Sequence, residues 1–215
     1  MSRSGNGPVL ILGAGGHGKV VADLLDVMGR DVAGFIDGDE SLHGKSVVGR
    51  PVLGGMNRLE HHAREVGAAT VALAIGDNRV RLEHAREAAR AGLEIATLVH
   101  PSAVVSSSAS LAAGTVVCAG ATVCCEAQLG EACVINTNAV VDHECQLGNA
   151  VHVAPAAALA GRVRLGDGVF VGLGARVLPC LEANAWAIIG AGAVVTRDIA
   201  GDVTVVGVPA KAIGE

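Results

Sequence analysis

Three glycines carry the clearest chemical content near the N-terminus. Gly13, Gly15 and Gly18 of GAGGHGK form a G-x-G-x-x-G immediately after the apolar run PVLIL. Glycines at that spacing let backbone N–H groups approach a diphosphate at a helix N-terminus. Asp37 falls 19 residues beyond Gly18, near the offset of a carboxylate that accepts from a ribose. Taken alone, the pattern points to a dinucleotide site and an NAD-binding oxidoreductase. Metal chemistry is a second reading of the titratable groups. The downstream histidines His100, His143 and His152 lack the close pair that zinc sites use, so no metal is expected. The six cysteines show no C-x-x-C spacing and are expected to be reduced, small core residues.

The elements that must position these groups follow two different grammars. Through residue 97, strand and helix signals alternate. PVLIL is a strand, GKVVADLLDVMG a helix ending at Gly29, and DVAGFID a strand ending at Asp37. SVVGRPVLGG is extended, a helix covers about Met56 to Val66, and TVALAIGDN is the third strand. RVRLEHAREAARAG is a helix closed by Gly92, and LEIATLV one further strand. This is βαβ logic and predicts a small parallel sheet.

From Val99 the period becomes six. Stepping from Val99 through Val105, Leu111 and Val117 to Val195 visits seventeen positions, and sixteen are Val, Ile or Leu. Small residues such as Ala121, Ala127, Cys133, Ala139 and Cys145 sit two places before them. Gly130, Gly148, Gly166, Gly172 and Gly190 follow the aliphatic position, where a turn is expected to need freedom in φ. A six-residue period is that of a parallel β-helix whose coils bury one inward ladder. The expected domains are therefore residues 1–97, α/β and Rossmann-like, and residues 98–215, the β-helix.

Composition agrees with thin, regular layers. Of 215 residues 51% are hydrophobic and 30 are Gly, while Tyr is absent, Phe occurs twice and Trp once. A net charge of −5 offers no basic field for nucleic acid. No apolar run approaches a membrane span, and no signal peptide precedes the first strand. A cytoplasmic chain with no membrane insertion is expected, with MSRSGNGP as a short disordered lead-in.

The repeat region resembles the left-handed β-helix acyltransferases, in which three hexapeptides make one coil. VVGVPAK (Val205 to Lys211) is similar to their G-x-P-A-K close. GAGGHGK, FID, GDNR, NTNAVVDHEC, GNAVHVAP and GVPAK, in that order, narrow the resemblance to bacterial nucleotide-sugar N-acetyltransferases. Those enzymes acetylate the 4-amino group of UDP-4-amino-4,6-dideoxy sugars or of GDP-perosamine. The resemblance implies acetyl-CoA as co-substrate, a homotrimer with active sites between subunits, and a place in glycan biosynthesis.

It also assigns residues. His143 in VVDHEC matches the proposed general base, and a histidine suits proton acceptance near neutral pH. Glu144 matches the acid thought to raise its basicity. Consecutive side chains on a straight strand diverge, so the pair cooperates only at a coil corner, with Asp142 as the other helper. One coil on, Arg162 offers Glu144 a plain surface ion pair. His152 matches an acetyl-CoA contact, Leu173 and Ala191 the lining of the pantetheine arm, and Lys211 a partner for a CoA phosphate. Gly15, Gly16 and His17 match the nucleotide-sugar loop. Asp37 and Gly38 are expected to meet ribose or base. Gly76, Asp77, Asn78 and Arg79 of GDNR are expected at sugar or phosphate, with a turn and helix cap as the plainer reading. His43, His61, His62 and His84 are expected on the surface. Sugar O-acetylation on the same fold and NAD-dependent oxidoreduction are the alternative functions, and a non-catalytic nucleotide-sugar binding module is a further one.

Overall fold

The computed structural model describes residues 7–213. Most of the expected polar lead-in, residues 1–6, lies outside them. Two compact units divide between Leu98 and Val99.

The first unit is an α/β sandwich. Its elements are β1 (Val9–Leu12), α1 (Gly16–Val27), β2 (Val32–Ile36), β3 (Ser46–Val47), β4 (Arg50–Gly54), α2 (Leu59–Glu65), β5 (Thr70–Leu73), α3 (Asn78–Arg90) and β6 (Glu94–Ile95). The sheet runs β3-β4-β2-β1-β5-β6 and is parallel except where β3 pairs antiparallel with β4. β1 is central and wholly buried. Gly29 and Gly92 follow α1 and α3 at φ +68° and +72°, the left-handed geometry of a helix C-terminus. Two details differ from the sequence reading. SVVGRPVLGG folds back as a hairpin through Val48 and Gly49, both at positive φ. LEIATLV is two strands, and the second, Leu98–Val99, joins the first sheet of the β-helix.

The second unit is a parallel β-helix. Among the described residues, seventeen two-residue strands run from Leu98–Val99 to Val194–Val195 at six-residue steps. Each strand pairs in register with the one eighteen residues on: Val116 with Val134, Val140 with Ala158, Gln146 with Arg164. Every third strand therefore falls on one face, giving parallel sheets of six, six and five strands, the first extended to eight by a C-terminal hairpin. The aliphatic residue of each strand points inward, and the alternating small residues fill the corners of one continuous core.

The glycines after the aliphatic positions serve a purpose other than turning. Among the positive-φ glycines none is Gly130, Gly148, Gly166, Gly172 or Gly190. A β-carbon on Gly130 would instead stand 2.7 Å from the Gly148 carbonyl carbon, and one on Gly166 2.5 Å from the Ala185 nitrogen. They let successive coils approach. The left-handed turn comes two residues later in the repeat. Along the coils more of these corners are taken by other residues than by glycine, including Glu126, Asn138, Glu144, Arg162, Cys180 and Trp186. That conformation costs roughly 1–2 kcal/mol per residue. A ladder of hydrogen bonds up each corner offsets it, as where Glu144 N donates to Cys125 O at 2.9 Å and Arg162 N to His143 O at 2.9 Å.

The cysteines divide evenly. Cys118, Cys133 and Cys145 are buried as expected, while Cys124 is half-buried and Cys125 and Cys180 are exposed. Cys133 and Cys145 occupy the inward register of the core, Cys125 and Cys180 lie at corners, and Cys118 and Cys124 share one phase but differ in burial. Burial pushes the Cys118 and Cys145 thiols up to about 11. No helix among the described residues is long and apolar enough to cross a membrane.

Candidate active site

In the first unit, the expected nucleotide residues gather at the C-terminal ends of β1, β2 and β5, three neighbouring parallel strands. That edge is where open α/β sheets bind ligands. The three glycines of the fingerprint have separate duties. Gly13 stands at φ +109°, and a β-carbon there would meet the Ala74 backbone. One on Gly18 would stand 3.0 Å from the Gly13 carbonyl carbon, so Gly18 lets α1 pack on β1. Gly15 and Gly16 have nothing within 4 Å of that position and no side chain caps the helix. The start of α1 is therefore open to a ligand.

Asp37 first serves its own loop. Its Oδ2 accepts from Ala14 N at 2.6 Å and its Oδ1 from Asp39 N at 2.8 Å, tying the glycine turn to the end of β2. Gly38 beside it is exposed and has open space around it. In GDNR, Asp77 caps α3 by accepting from Arg79 N at 2.8 Å and Val80 N at 3.0 Å, so the plainer reading describes this side chain. Asn78 is buried and accepts from Arg81 at 2.8 Å, while Gly76 and Arg79 are exposed.

Sequence reasoning missed Arg81. It is fully buried and donates to Ile75 O at 2.9 Å, placing a cation under this loop cluster. Burial, and then the Arg81 charge, push His17 down to about 4, so its imidazole is neutral near pH 7. The available signal was an arginine on the stripe that α3 otherwise buries through Leu82, Ala85 and Ala88. The histidines expected on the surface also differ. His61 alone of the four is exposed, and His62 is buried over Gly54.

In the second unit, His143 and Glu144 occupy a corner of the coil. Glu144 is at φ +59°, and this left-handed turn swings the two neighbouring side chains to one side. His143 Nδ1 lies 2.9 Å from Glu144 Oε2. The sequence left open whether Glu144 pairs with His143 or with Arg162. It does both through one oxygen, since Arg162 Nε donates to Oε2 at 3.0 Å. The His143 hydrogen bond, and next that of Arg162, hold the Glu144 carboxyl below the usual range. Asp142 plays a different part, accepting from the His143 backbone N at 2.7 Å. With Nδ1–H held by a carboxylate, Nε2 becomes the acceptor nitrogen, and it lies over Gly161 of the next coil.

The other predicted residues are not beside this corner. His143 lies between the six- and five-stranded sheets. His152 points out from the eight-stranded sheet, the face opposite. Its Nε2 is 3.2 Å from Asn136 Nδ2 and its ring edge meets Phe170 at 5.2 Å. Leu173 and Ala191 are exposed, one above the other, at the corner between the eight- and six-stranded sheets. Lys211 is exposed on the terminal hairpin. A six-residue side at about 3.3 Å per residue makes each face up to about 20 Å wide. One chain therefore holds the proton acceptor and the expected acetyl-CoA contacts apart. Among the described residues, the group of side chains close enough to hold a metal is His61, His62 and Glu65, which includes none of the β-helix histidines.

Residues 8–88 match the PglD N-terminal domain family. A histidine-to-asparagine variant of perosamine N-acetyltransferase from Caulobacter crescentus, solved with CoA and GDP-perosamine, is 44% identical. The match covers 98% of this chain and 99% of that one, with a TM-score of 0.93. This chain belongs to the nucleotide-sugar N-acetyltransferases of the hexapeptide-repeat family. The acetyltransferase domain of PglB from Neisseria gonorrhoeae FA1090 is 38% identical over 97% of this chain and 100% of that one, with a TM-score of 0.89. It has also been solved with acetyl coenzyme A. WeeI from Acinetobacter baumannii AYE is 26% identical over 96% of this chain and 99% of that one, at a TM-score of 0.81. A comparison with curated proteins finds no match. For an N-acetyltransferase of this family, the glycine fingerprint of the first unit has no hydride to serve, and the NAD reading falls away.

Proposed function

We propose that the protein transfers an acetyl group from acetyl-CoA to the 4-amino group of a nucleotide-linked 4-amino-4,6-dideoxy sugar. The carrying observation is the His143–Glu144 corner, with Nδ1 held at 2.9 Å and Nε2, over Gly161, left as the proton acceptor. The neutral amine attacks the thioester carbonyl and a C–N bond forms. His143 Nε2 takes the proton that the nitrogen loses, the C–S bond breaks, and CoA leaves as a thiol after protonation. Glu144 fixes the tautomer and its charge favours the imidazolium that forms. Gly15, Gly16, His17, Asp37, Gly38 and the GDNR segment hold the nucleotide sugar in this reading. The open start of α1 receives the diphosphate.

His152, Leu173, Ala191 and Lys211 are the proposed acetyl-CoA contacts. Because one chain sets them away from His143, the working site is completed by a neighbouring copy in a homotrimer. The six-stranded face supports this arrangement. It presents Val104, Thr122, Val140, Ala158 and Val194 outward, together with Arg176, whose guanidinium donates to Ala156 O and Gly174 O, a mainly small and aliphatic surface suited to a second copy. Acetyl-CoA and nucleotide sugars are charged cytoplasmic metabolites, which favours the cytoplasm as the site of action. The test is release of free thiol from acetyl-CoA in the presence of UDP- and GDP-linked 4-amino sugars. Turnover with a 4-amino sugar and none with its 4-hydroxy analogue is expected. Equal turnover with the hydroxyl compound would replace N- with O-acetylation.

A further inference from the structure

We propose that Arg162 is a positioning residue, which holds the Glu144 carboxylate against His143 and, by sharing Oε2, weakens the imidazole's grip on a proton. The inference rests on the reading of His143 as proton acceptor. The residues come from one column: Glu126, Glu144, Arg162 and Cys180 are eighteen apart, and all take the left-handed corner conformation. The corner ladder fixes their backbones, with Arg162 N donating to His143 O at 2.9 Å and Cys180 N to Gly161 O at 3.0 Å. Their backbone positions are consequently stacked one coil apart.

The Glu144 side chain is 40% exposed and that of Arg162 61%. Without a second anchor the carboxylate has several rotamers open to solvent. Arg162 Nε, at 3.0 Å from the oxygen that His143 uses, selects one of them. A guanidinium on the same oxygen also draws charge from the imidazole side, so the cation and the imidazolium compete for Glu144. The charged and titratable groups around His143 are Glu144 and Asp142 on its own turn, Cys124, Cys125 and Glu126 one coil earlier, and Arg162 one coil on. Cys180, Arg164, Glu182 and Asp198 line the adjoining groove of about 390 Å³. Arg162 is the cation bonded to Glu144. Being exposed, its influence weakens with salt.

The experiment follows the His143 imidazole by NMR titration at low ionic strength in Arg162→Ala and Arg162→Gln, alongside kcat and KM against pH. In Arg162→Ala the midpoint is expected to move up by about half a pH unit. The acidic limb of the rate profile moves with it. kcat is expected to fall roughly threefold or more, the scale of a partly exposed pair, with KM for acetyl-CoA nearly unchanged. Gln retains a donor for Glu144 without the charge, so it restores most of kcat while leaving the midpoint raised. An unmoved midpoint in Arg162→Ala overturns the proposal, as does a rise in KM alone, which would make Arg162 a ligand contact. Full turnover by His143→Ala would defeat the base assignment instead, while the titration would still report on Arg162.

Discussion

Gly161 lies against the imidazole of His143, so close that a β-carbon on it would stand 2.5 Å from Cε1. Its φ is outside the left-handed range, so the missing side chain serves the ring and not the turn. Gly161→Ala is expected to leave the fold intact and displace the imidazole. A shift of about 1 Å can cost about 100-fold in rate, so kcat should fall on that scale with an unchanged melting curve. Wild-type kcat would show that the ring works from another position.

His143→Ala is expected to lower kcat by about 10² to 10⁴ without changing oligomeric state or CoA binding, since the side chain is 45% exposed and buries little. Glu144→Gln keeps an acceptor for Nδ1–H but loses the charge, and a smaller loss is expected. Steady-state kinetics with analytical ultracentrifugation checks both.

The composite site predicts complementation. His143→Ala and a variant altered at Leu173 and Ala191 to bulky residues should each be nearly inactive. Mixed by joint refolding, they should regain activity, because some junctions then receive one intact surface from each chain. Failure to regain any activity would confine the site to one chain.

Much of this was legible before any coordinates. A six-residue period over seventeen positions fixes the β-helix, because only the inward ladder must be aliphatic. It also locates His143 two residues after the inward Val141, at a corner. The glycine roles were less legible. Gly130 and Gly148 look like turn residues in a string of letters, but a neighbouring coil, absent from local sequence, makes them necessary. Arg81 was missed for a similar reason. An arginine flanked by charged letters such as Arg79 and Glu83 reads as solvated until the fold shows Ile75 O, Gly76 O and Asn78 Oδ1 around its guanidinium.

His17 gives a pH prediction for stability. Its folded value is about 4, against 6.5 unfolded, so between these values the unfolded chain binds more protons. Stability therefore rises with pH through that window and is lost as pH falls from about 6.5 toward 4, by up to about 3 kcal/mol. Urea unfolding at pH 7.5 and pH 5 should show the loss, and His17→Gln should reduce it. Equal losses in both proteins would assign the effect to other groups.

Two glycines three positions apart in the fingerprint should behave oppositely. Gly18→Ala forces α1 away from Gly13 and is expected to destabilise the first unit markedly. Gly15→Ala meets open space, so stability should hold while KM for the nucleotide sugar rises. A stable Gly18→Ala protein with normal KM would contradict the packing assignment.

Pairing at eighteen residues gives the solenoid a further property. Position in the chain, counted modulo eighteen, is a compass bearing around its axis, and each hexapeptide is a turn of about 120°. The nine residues from His143 to His152 are half a revolution, whatever their side chains. Adding one hexapeptide between them would leave every strand paired yet rotate one group to another side of the prism. Adding three would restore its bearing one storey higher. Length here acts as an angle, so the repeat count between two functional residues is itself part of the active-site design.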